Sequence, residues 1–235
     1  MKGMVIIPAR DEEDSLPLVL SDLLDTKLFR RNQIIVVDNG SKDKTGKIAR
    51  EWGVICLYEP ERGYGAACQR GLKYIQKNKY SPEWILFLDA DYSDYVEDVE
   101  TIVTPIEEGK QDFVTGWRVI PIGQENPFSL SQRFGNALVC KLIQAFFRVT
   151  FQDLGSLRAI RYKSLLLLDL KDKTWGWNVE MNIRAIQKKL RIQEVPVRYR
   201  ARYAGKSKIS GNYKAILPVG FKILFTFFKL LIKGS

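Results

Sequence analysis

The chain has 235 residues, of which 46% are apolar and 11% aromatic, with 37 Lys and Arg against 27 Asp and Glu. This length and composition predict one α/β domain with a well-filled core, and they exclude a disordered chain. There is no histidine, and the three cysteines have neither metal-ligand nor disulfide spacing, which excludes zinc, haem and histidine-based acid–base chemistry.

The first half of the sequence alternates regularly between apolar runs and helical patterns. This alternation predicts a mostly parallel sheet covered by helices on both faces. The predicted strands are Met4–Pro8, Gln33–Val37, Val54–Tyr58, Trp84–Leu88 and Phe113–Gly116. The predicted helices lie near Ser15–Leu24, Lys44–Trp52, Tyr64–Asn78 and Tyr95–Glu108. The opening apolar stretch is too short for a signal peptide, so we expect a cytosolic location.

Three of the predicted strands end in polar segments. These segments are Pro8-Ala9-Arg10-Asp11-Glu12-Glu13, Asp38-Asn39-Gly40-Ser41 and Asp89-Ala90-Asp91. Ligands of such sheets bind at the carboxyl ends of the strands, so we expect the three segments to be neighbours at one edge.

The segment Asp89-Ala90-Asp91 follows the apolar run Trp84–Leu88. Residues two apart on an extended chain point the same way, so Asp89 and Asp91 are placed to converge on Mg2+ or Mn2+. A diphosphate is the group that such a cation most commonly binds. The alternative is that these acids only cap the strand and turn the chain.

The regular alternation of strand and helix patterns ends after about residue 117. A loop rich in Pro and Gly leads to a predicted helix at Ser131–Phe147, and a second helix at Asn178–Lys189 precedes a strand at Gln193–Arg200. No repeat or linker separates these elements from the first half. We therefore expect one domain over residues 1–212, followed by a separate terminal helix at 213–235.

The C-terminal part of the chain is strongly basic. From Arg191 onwards there are ten Lys and Arg against one acid, Glu194. This asymmetry predicts an anionic partner, which is a phosphorylated substrate, an anionic membrane surface or a nucleic acid.

The segment Ala215–Ile232 is apolar but contains Lys222 and Lys229, which share one face of a helix with Lys233. These lysines favour a helix lying in the membrane interface over a transmembrane helix. A terminal helix packed on the domain is the other alternative. Nucleic acid is disfavoured, because the lysines are interleaved with Phe and Leu rather than set along a polar groove.

The ordered motifs resemble those of glycosyltransferase family 2. The segments that carry the resemblance are 5–13, 35–45, 62–67 and Asp89-Ala90-Asp91. Asp153-Leu154-Gly155-Ser156, Trp177–Met181 and Gly205–Lys208 are similar to the polyprenyl-phosphate (dolichyl-phosphate) mannosyl- and glucosyltransferase branch. The resemblance covers residues 4–210 and implies a GT-A, Rossmann-like fold.

The resemblance implies a donor site for a nucleoside-diphosphate sugar, a GDP- or UDP-hexose. The metal ligands are then Asp89 and Asp91, of which Asp91 is the residue least replaceable for turnover. The implied nucleotide and donor residues are Pro8, Ala9, Arg10, Glu12, Asp38, Gly63, Gly65, Asp89 and Ala90. Small residues at Gly63 and Gly65 suit a close approach of the backbone to a ligand, although an ordinary loop has the same composition.

Asp38 has two open roles, since its carboxylate can accept from a base N–H or can open the turn at Asn39-Gly40. Two positions depart from the family pattern. Asn39 stands where the family often has Asp. Ser93 stands where a better metal ligand is usual, so Asp94 or water is left to complete the metal shell.

The acceptor decides the remaining chemistry. A sugar hydroxyl needs a general base, whereas a lipid phosphate is already an anion and needs positioning and charge neutralisation. The basic second half suits the lipid phosphate. The predicted cradle consists of Arg118, with a catalytic role, and Arg133, Arg200, Arg202, Lys206 and Lys208.

Two acids on the acceptor side remain ambiguous. By resemblance, Asp153 is a catalytic base or acceptor-side residue, and Glu180 orients a loop or the sugar in the acceptor site. The alternative for both is a buried acid paired with one of the arginines.

The sequence as a whole predicts an inverting transferase that moves mannose or glucose onto a polyprenyl phosphate, peripherally bound at the cytoplasmic membrane face. Two alternatives stay open. One is a family 2 enzyme with a sugar or lipid hydroxyl acceptor, and the other is a non-catalytic protein that binds lipid phosphate.

Overall fold

The computed structural model of the protein describes residues 2–204 and 213–233. Its sheet contains β1 (Gly3–Ala9), β2 (Ile34–Asp38), β3 (Ile55–Tyr58), β4 (Trp84–Phe87), β5 (Phe113–Val119), β6 (Arg158–Arg161) and β7 (Ile192–Arg198). The α-helices of the described residues are α1 (Leu16–Asp25), α2 (Thr45–Glu51), α3 (Tyr64–Lys77), α4 (Val99–Glu107), α5 (Leu130–Phe147), α6 (Tyr162–Leu167), α7 (Trp177–Gln187) and α8 (Tyr213–Lys233).

The strand order is β3-β2-β1-β4-β6-β5-β7. Strands β1 to β4 pair in parallel, as does β5 with β7, whereas β6 is antiparallel to both β4 and β5. The α/β fold is therefore confirmed, with one antiparallel strand inserted near the middle. The sequence did not predict β6 or α6, because the four residues Arg158–Arg161 carry an arginine at each end and form no apolar run.

The sheet separates two apolar cores. Along β1, Val5 and Ile7 pack on the side of α1 and α4, while Met4 and Ile6 pack on the opposite side with Trp177. Successive side chains of a strand point to opposite faces, so burial of both faces requires the unbroken apolar runs that mark the strands in the sequence.

A third core joins α5, α7 and α8. Phe227 and Leu230 of α8 are buried there together with Ile143 and Ile183. The terminal helix thus packs on the domain through one face. No helix within residues 2–204 and 213–233 is long and apolar enough to cross a membrane.

Candidate active site

The loops after β1, β2 and β4 meet at one edge of the sheet, as predicted. Ala9 at the end of β1 is paired with Asp38 at the end of β2, and Ile6 of β1 is paired with Phe87 of β4. The polar segments that follow these strands therefore enter the same space.

A cleft of about 510 Å3 opens at this edge. The residues predicted from the sequence that line it are Pro8, Ala9, Arg10, Glu12, Gly63, Asp89, Ala90, Asp91, Arg118 and Arg202. Most of the predicted donor residues are thus brought together with two of the predicted acceptor residues.

The β1 and β2 loops are tied to each other by hydrogen bonds. The Asp11 amide donates to Ser41 Oγ at 3.0 Å, and the Lys42 amide donates to Asp11 Oδ1 at 2.7 Å. The buried Glu12 amide donates to Thr45 Oγ1 at 2.8 Å. These bonds fix the backbone that carries Glu12 at the cleft.

Asp38 takes the turn role that the sequence left open. Its Oδ1 accepts from the Ser41 amide at 2.9 Å, and it is not among the residues that line the cleft. Contact between Asp38 and a nucleotide base stays a prediction.

Asn39 is used as both donor and acceptor. Its Nδ2 donates to the carbonyls of Glu59 and Glu61 at 3.0 and 2.7 Å, while its Oδ1 accepts from the Gly63 amide at 2.8 Å. An aspartate cannot donate these bonds, so the departure from the family pattern has a structural reason here.

Asp91 is held from two directions. Its Oδ1 accepts from the Ser93 hydroxyl at 2.5 Å and from the Ser93 amide at 3.1 Å. Its Oδ2 lies 2.8 Å from Arg202, and the same guanidinium lies 2.8 Å from Oε1 of Glu12. Ser93 therefore orients Asp91, and Arg202 bridges two acids of the cleft.

The charged forms of the acids around Asp91 are disfavoured by burial and by the neighbouring carboxyls. Burial, with Asp91 beside it, raises the pKa of Asp89 to about 6. Burial and the two neighbouring carboxyls raise the pKa of Asp94 well above its usual value. The buried Oδ1 of Asp94 also has no hydrogen-bond partner among the described residues.

This cluster of carboxyls fits a divalent cation, since a bound cation would favour the charged carboxylates. The described residues contain no group of three or more acids or thiols arranged around one metal position. Asp89 and Asp91 would therefore supply two ligands, and water and phosphate oxygens the rest, which is how Mg2+ is usually bound.

Arg118, which lines the cleft, forms a tight pair with Asp153. Arg118 Nε and Nη2 lie 2.6 and 2.7 Å from the two carboxylate oxygens of Asp153. The amides of Arg118 and Leu154 also donate to this carboxylate, at 3.0 and 2.8 Å. Burial alone would raise the pKa of Asp153, but the bonds from Arg118 hold it below the usual value.

Residues 4–187 match the sequence profile described as Glycosyl transferase family 2. The chain belongs to glycosyltransferase family 2. Across 210 residues it is 30% identical to an uncharacterized glycosyltransferase of Mycobacterium tuberculosis, covering 89% of this chain and 90% of that protein. It is 28% identical over 222 residues to the undecaprenyl-phosphate mannosyltransferase of Micrococcus luteus, covering 90% and 89% of the two chains.

Among solved structures, the glycosyltransferase resembles glucosyl-3-phosphoglycerate synthase from Mycobacterium tuberculosis, crystallised with Mn2+, uridine diphosphate and phosphoglyceric acid. The TM-score is 0.76 at 18% identity, with 98% of this chain and 78% of that chain covered. This likeness confirms the GT-A fold.

The glycine motif of this glycosyltransferase serves a contact that the sequence did not predict. A Cβ added to Gly63 would lie 2.0 Å from the carbonyl oxygen of Lys173, and one added to Gly65 would lie 2.2 Å from that of Asp172. The close approach is therefore to the backbone of the 171–174 segment. Gly65 is buried there and does not line the cleft, and contact between Gly65 and the donor stays a prediction.

Glu180 orients a loop, which is one of the two roles predicted for it. Its Oε2 accepts from the amides of Lys171 and Asp172 at 2.9 and 2.7 Å. Glu180 does not line the cleft and supports the segment that packs on the glycines, while its role in the acceptor site stays a prediction.

Two of the predicted cradle arginines also lie away from the cleft. Arg133 is exposed on α5, and Arg200 donates to the Tyr92 carbonyl at 2.7 Å with its guanidinium 3.7 Å from the centre of the Tyr92 ring. Neither lines the cavity. Lys206 and Lys208 lie outside the described residues.

Arg158, for which no role was predicted, is fully buried beneath the cleft in β6. Its guanidinium donates to the Gly155 carbonyl, to Asn182 Oδ1 and to the Asn178 carbonyl. Further cleft residues without a predicted contact are Asn39, Tyr64, Leu154, Ser156, Thr174, Trp175, Asn178, Val219 and Ile223. Arg62, the first residue of the 62–67 segment, also lines the cleft.

Proposed function

We propose that this glycosyltransferase moves a hexose, mannose or glucose, from a nucleoside diphosphate to a polyprenyl phosphate, with inversion at the anomeric carbon. The reaction would take place at the cytoplasmic face of a membrane to which the protein binds peripherally. The similarity to an undecaprenyl-phosphate mannosyltransferase over 90% of the chain supports the acceptor class. The solved relative that holds uridine diphosphate and Mn2+ supports the donor class.

The hydrogen bonds and the lowered pKa of Asp153 favour a phosphate acceptor over a hydroxyl acceptor. A hydroxyl acceptor requires a base, and Asp153 is the residue that the resemblance offers for that role. Its two oxygens are occupied by Arg118 and by backbone amides, and its pKa is lowered. A carboxylate with a lowered pKa is a weak base near neutral pH, whereas a lipid phosphate needs none.

The walls of the cleft suit an amphiphilic acceptor. Arg118 and Arg202 provide positive charge, and Val219 and Ile223 of α8 add apolar surface to the same cavity. Arg118 is fixed further by the rings of Phe128 and Tyr199, whose centres lie 4.5 and 5.2 Å from its guanidinium carbon. A phosphate with an isoprenoid chain would contact both the arginines and the apolar surface. A soluble sugar would have no use for the apolar surface.

The chain's own residues would act mainly by position and charge. Asp91 and Asp89 would hold Mg2+ or Mn2+, which supplies Lewis-acid stabilisation of the departing nucleoside diphosphate. Arg118 would orient the acceptor phosphate for attack on the anomeric carbon from the side opposite the leaving group, which inverts the configuration. The guanidinium of Arg118 enters this step already oriented, because Asp153 fixes its plane.

The test is a transfer assay with matched acceptors. Radiolabelled GDP-mannose and UDP-glucose are each supplied with Mn2+ and either undecaprenyl phosphate or undecaprenol, the same lipid without its phosphate. We expect product from one donor with undecaprenyl phosphate only. Transfer to undecaprenol or to a soluble sugar, with none to the phosphate, would establish the hydroxyl-acceptor alternative.

The non-catalytic alternative is tested separately by thermal shift. A donor nucleotide in the presence of Mn2+ should raise the melting temperature, because a ligand that binds only the native state stabilises it. Binding of undecaprenyl phosphate without any nucleotide effect or turnover would favour a lipid-phosphate-binding protein.

A further inference from the structure

A second cavity, of about 370 Å3, lies between the 171–174 segment, α7 and α8. It is distinct from the cleft, and only Thr174 lines both. Five basic residues and two acids line it. The basic residues are Lys171, Lys173, Arg184, Lys222 and Lys229, and the acids are Asp172 and Glu180. Two of these lysines pair with acids outside the cavity, Lys171 with Asp169 at 2.9 Å and Lys173 with Glu61 at 2.7 Å.

The two acids of this cavity are engaged by the protein itself. Oε2 of Glu180 accepts two backbone amides of the 171–174 segment. Oδ1 of Asp172 accepts from the amide and hydroxyl of Thr174 at 2.8 and 3.0 Å, while its Oδ2 accepts from Thr226 Oγ1 at 3.1 Å and lies 2.9 Å from Lys222 Nζ. Of the basic wall, Arg184, Lys222 and Lys229 therefore remain to bind an external anion.

Arg184 adds a donor to that wall. Its Nε is buried and has no hydrogen-bond partner among the described residues, with the nearest carboxylate oxygen, Oε1 of Glu180, at 3.7 Å. A buried guanidinium N–H without an acceptor is costly, and a bound anion would remove that cost.

The outer surface of α8 beside this cavity is apolar. Phe221, Phe225, Phe228 and Ile232 are 73%, 53%, 45% and 75% exposed, and their spacing places them along one stripe of the helix. Phe225 also lines the cavity. A soluble anion would need only the cations, whereas an anionic lipid would use the cations and the phenylalanines together.

We propose that this cavity binds the phosphate of an anionic phospholipid headgroup while the stripe from Phe221 to Ile232 enters the acyl region of the membrane. The proposal deepens the membrane association in the proposed function and rests on it. Because Val219 and Ile223 of the same helix line the cleft, headgroup binding would set the cleft mouth against the bilayer, where a polyprenyl phosphate is presented.

The experiment compares binding to vesicles of phosphatidylcholine, with and without phosphatidylglycerol, by co-sedimentation. The test variant is Lys222→Gln with Lys229→Gln, in which the amide introduced at position 222 can still donate to Asp172. A lysine near an anionic surface contributes about fivefold to binding, so the variant should bind phosphatidylglycerol vesicles about 25-fold more weakly.

The control removes the same charge from the opposite face of the sheet. Lys47 lies on α2 and Lys110 follows α4, two helices of that face. Their side chains are 66% and 69% exposed. Lys47→Gln with Lys110→Gln should bind as the unmodified chain does. Equal weakening by both pairs, or no weakening by the test pair, would overturn the site.

Two further measurements separate this proposal from the proposed function. Transfer to a short, water-soluble isoprenyl phosphate without vesicles should be unchanged in the test variant, since neither lysine lines the cleft. If the double variant does not fold, judged by thermal unfolding, Lys229→Gln alone should weaken binding about fivefold. Full vesicle binding by that single variant, or loss of its soluble transfer, would contradict the headgroup site.

Discussion

Two groups of acids at the cleft differ in pKa. Burial and neighbouring carboxyls raise the pKa values of Asp89 and Asp94. The pKa of Asp153 is lowered, because its burial is outweighed by Arg118. We call these the carboxylate side, formed by Glu12, Asp89, Asp91 and Asp94, and the arginine side, formed by Arg118 and Asp153. Arg202 belongs to the carboxylate side, where it bridges Glu12 and Asp91.

The contrast shows that aspartates of the same cleft can have different roles. On the carboxylate side the charged forms of Asp89 and Asp94 are disfavoured, and an external cation would favour them. Charge on the arginine side is balanced within the protein, because Arg118 and Asp153 pair with each other. This pairing holds the guanidinium of Arg118 in a fixed orientation. The first arrangement suits a metal–diphosphate donor, and the second suits an anionic acceptor.

The largest effect should come from Asp91→Ala. Loss of this carboxylate removes a proposed metal ligand, and metal stabilisation of a leaving group is worth several kcal/mol, so transfer should fall on the order of 10³-fold or more. The fold should persist, because Arg202 keeps Glu12 as a partner at 2.8 Å. Initial rates with labelled donor at saturating Mn2+, together with thermal unfolding, measure both.

The matched control is Asp25→Ala, which removes an exposed acid at the end of α1. It should leave the rate unchanged. Full activity of Asp91→Ala with added Mg2+ or Mn2+ would refute the cation site on the carboxylate side.

The next largest effect is expected from Asp153→Asn, on stability. Removal of one charge from a buried ion pair leaves Arg118 uncompensated, which costs about 3 kcal/mol in the free energy of unfolding. Urea unfolding at neutral pH measures this loss. Transfer should also fall through a higher KM for the acceptor, while the shape of the pH–rate profile stays the same, because Asp153 positions Arg118 and takes no proton.

The double variant Arg118→Met with Asp153→Leu separates the two roles of this pair. Apolar replacement of a buried ion pair is often neutral for stability, so the double variant should recover most of the unfolding free energy lost by Asp153→Asn. It should not recover transfer. Loss of one limb of the pH–rate profile in Asp153→Asn would instead identify Asp153 as a base.

The carboxylate side was largely predictable from the sequence. Its acids follow apolar runs at strand ends, and parallel neighbours bring such ends together without knowledge of packing. The glycine motif was recognised, but its partner, the 171–174 segment, lies more than a hundred residues away. No local pattern identifies the backbone that approaches Gly63 and Gly65.

The positions of the arginines depended on long-range packing. Arg202 reaches Glu12 across 190 positions of the chain, and the buried Arg158 lies in a strand with no apolar run. Arg200 and Arg202 look equivalent in the sequence, yet Arg200 lies over Tyr92 while Arg202 enters the cleft. Basic composition therefore predicted the charge of this region but not which arginines line the cleft.

The smallest and sharpest test is the pH dependence of stability, measured with chelator present. The raised pKa of Asp89, about 6 against 3.8, means that its stabilising contribution is present below pH 4 and is lost as the pH rises through 6. The lowered pKa of Asp153 has the opposite sign, so its contribution is present above pH 4 and is lost as the pH falls through the folded-state value. The free energy of unfolding of the unmodified chain, relative to that of Asp89→Asn, should fall as the pH rises from 4 to 6. Relative to that of Asp153→Asn, it should fall as the pH drops below 4. Urea titrations of the three proteins across this range measure both differences, and slopes of the same sign would remove the distinction between the two sides.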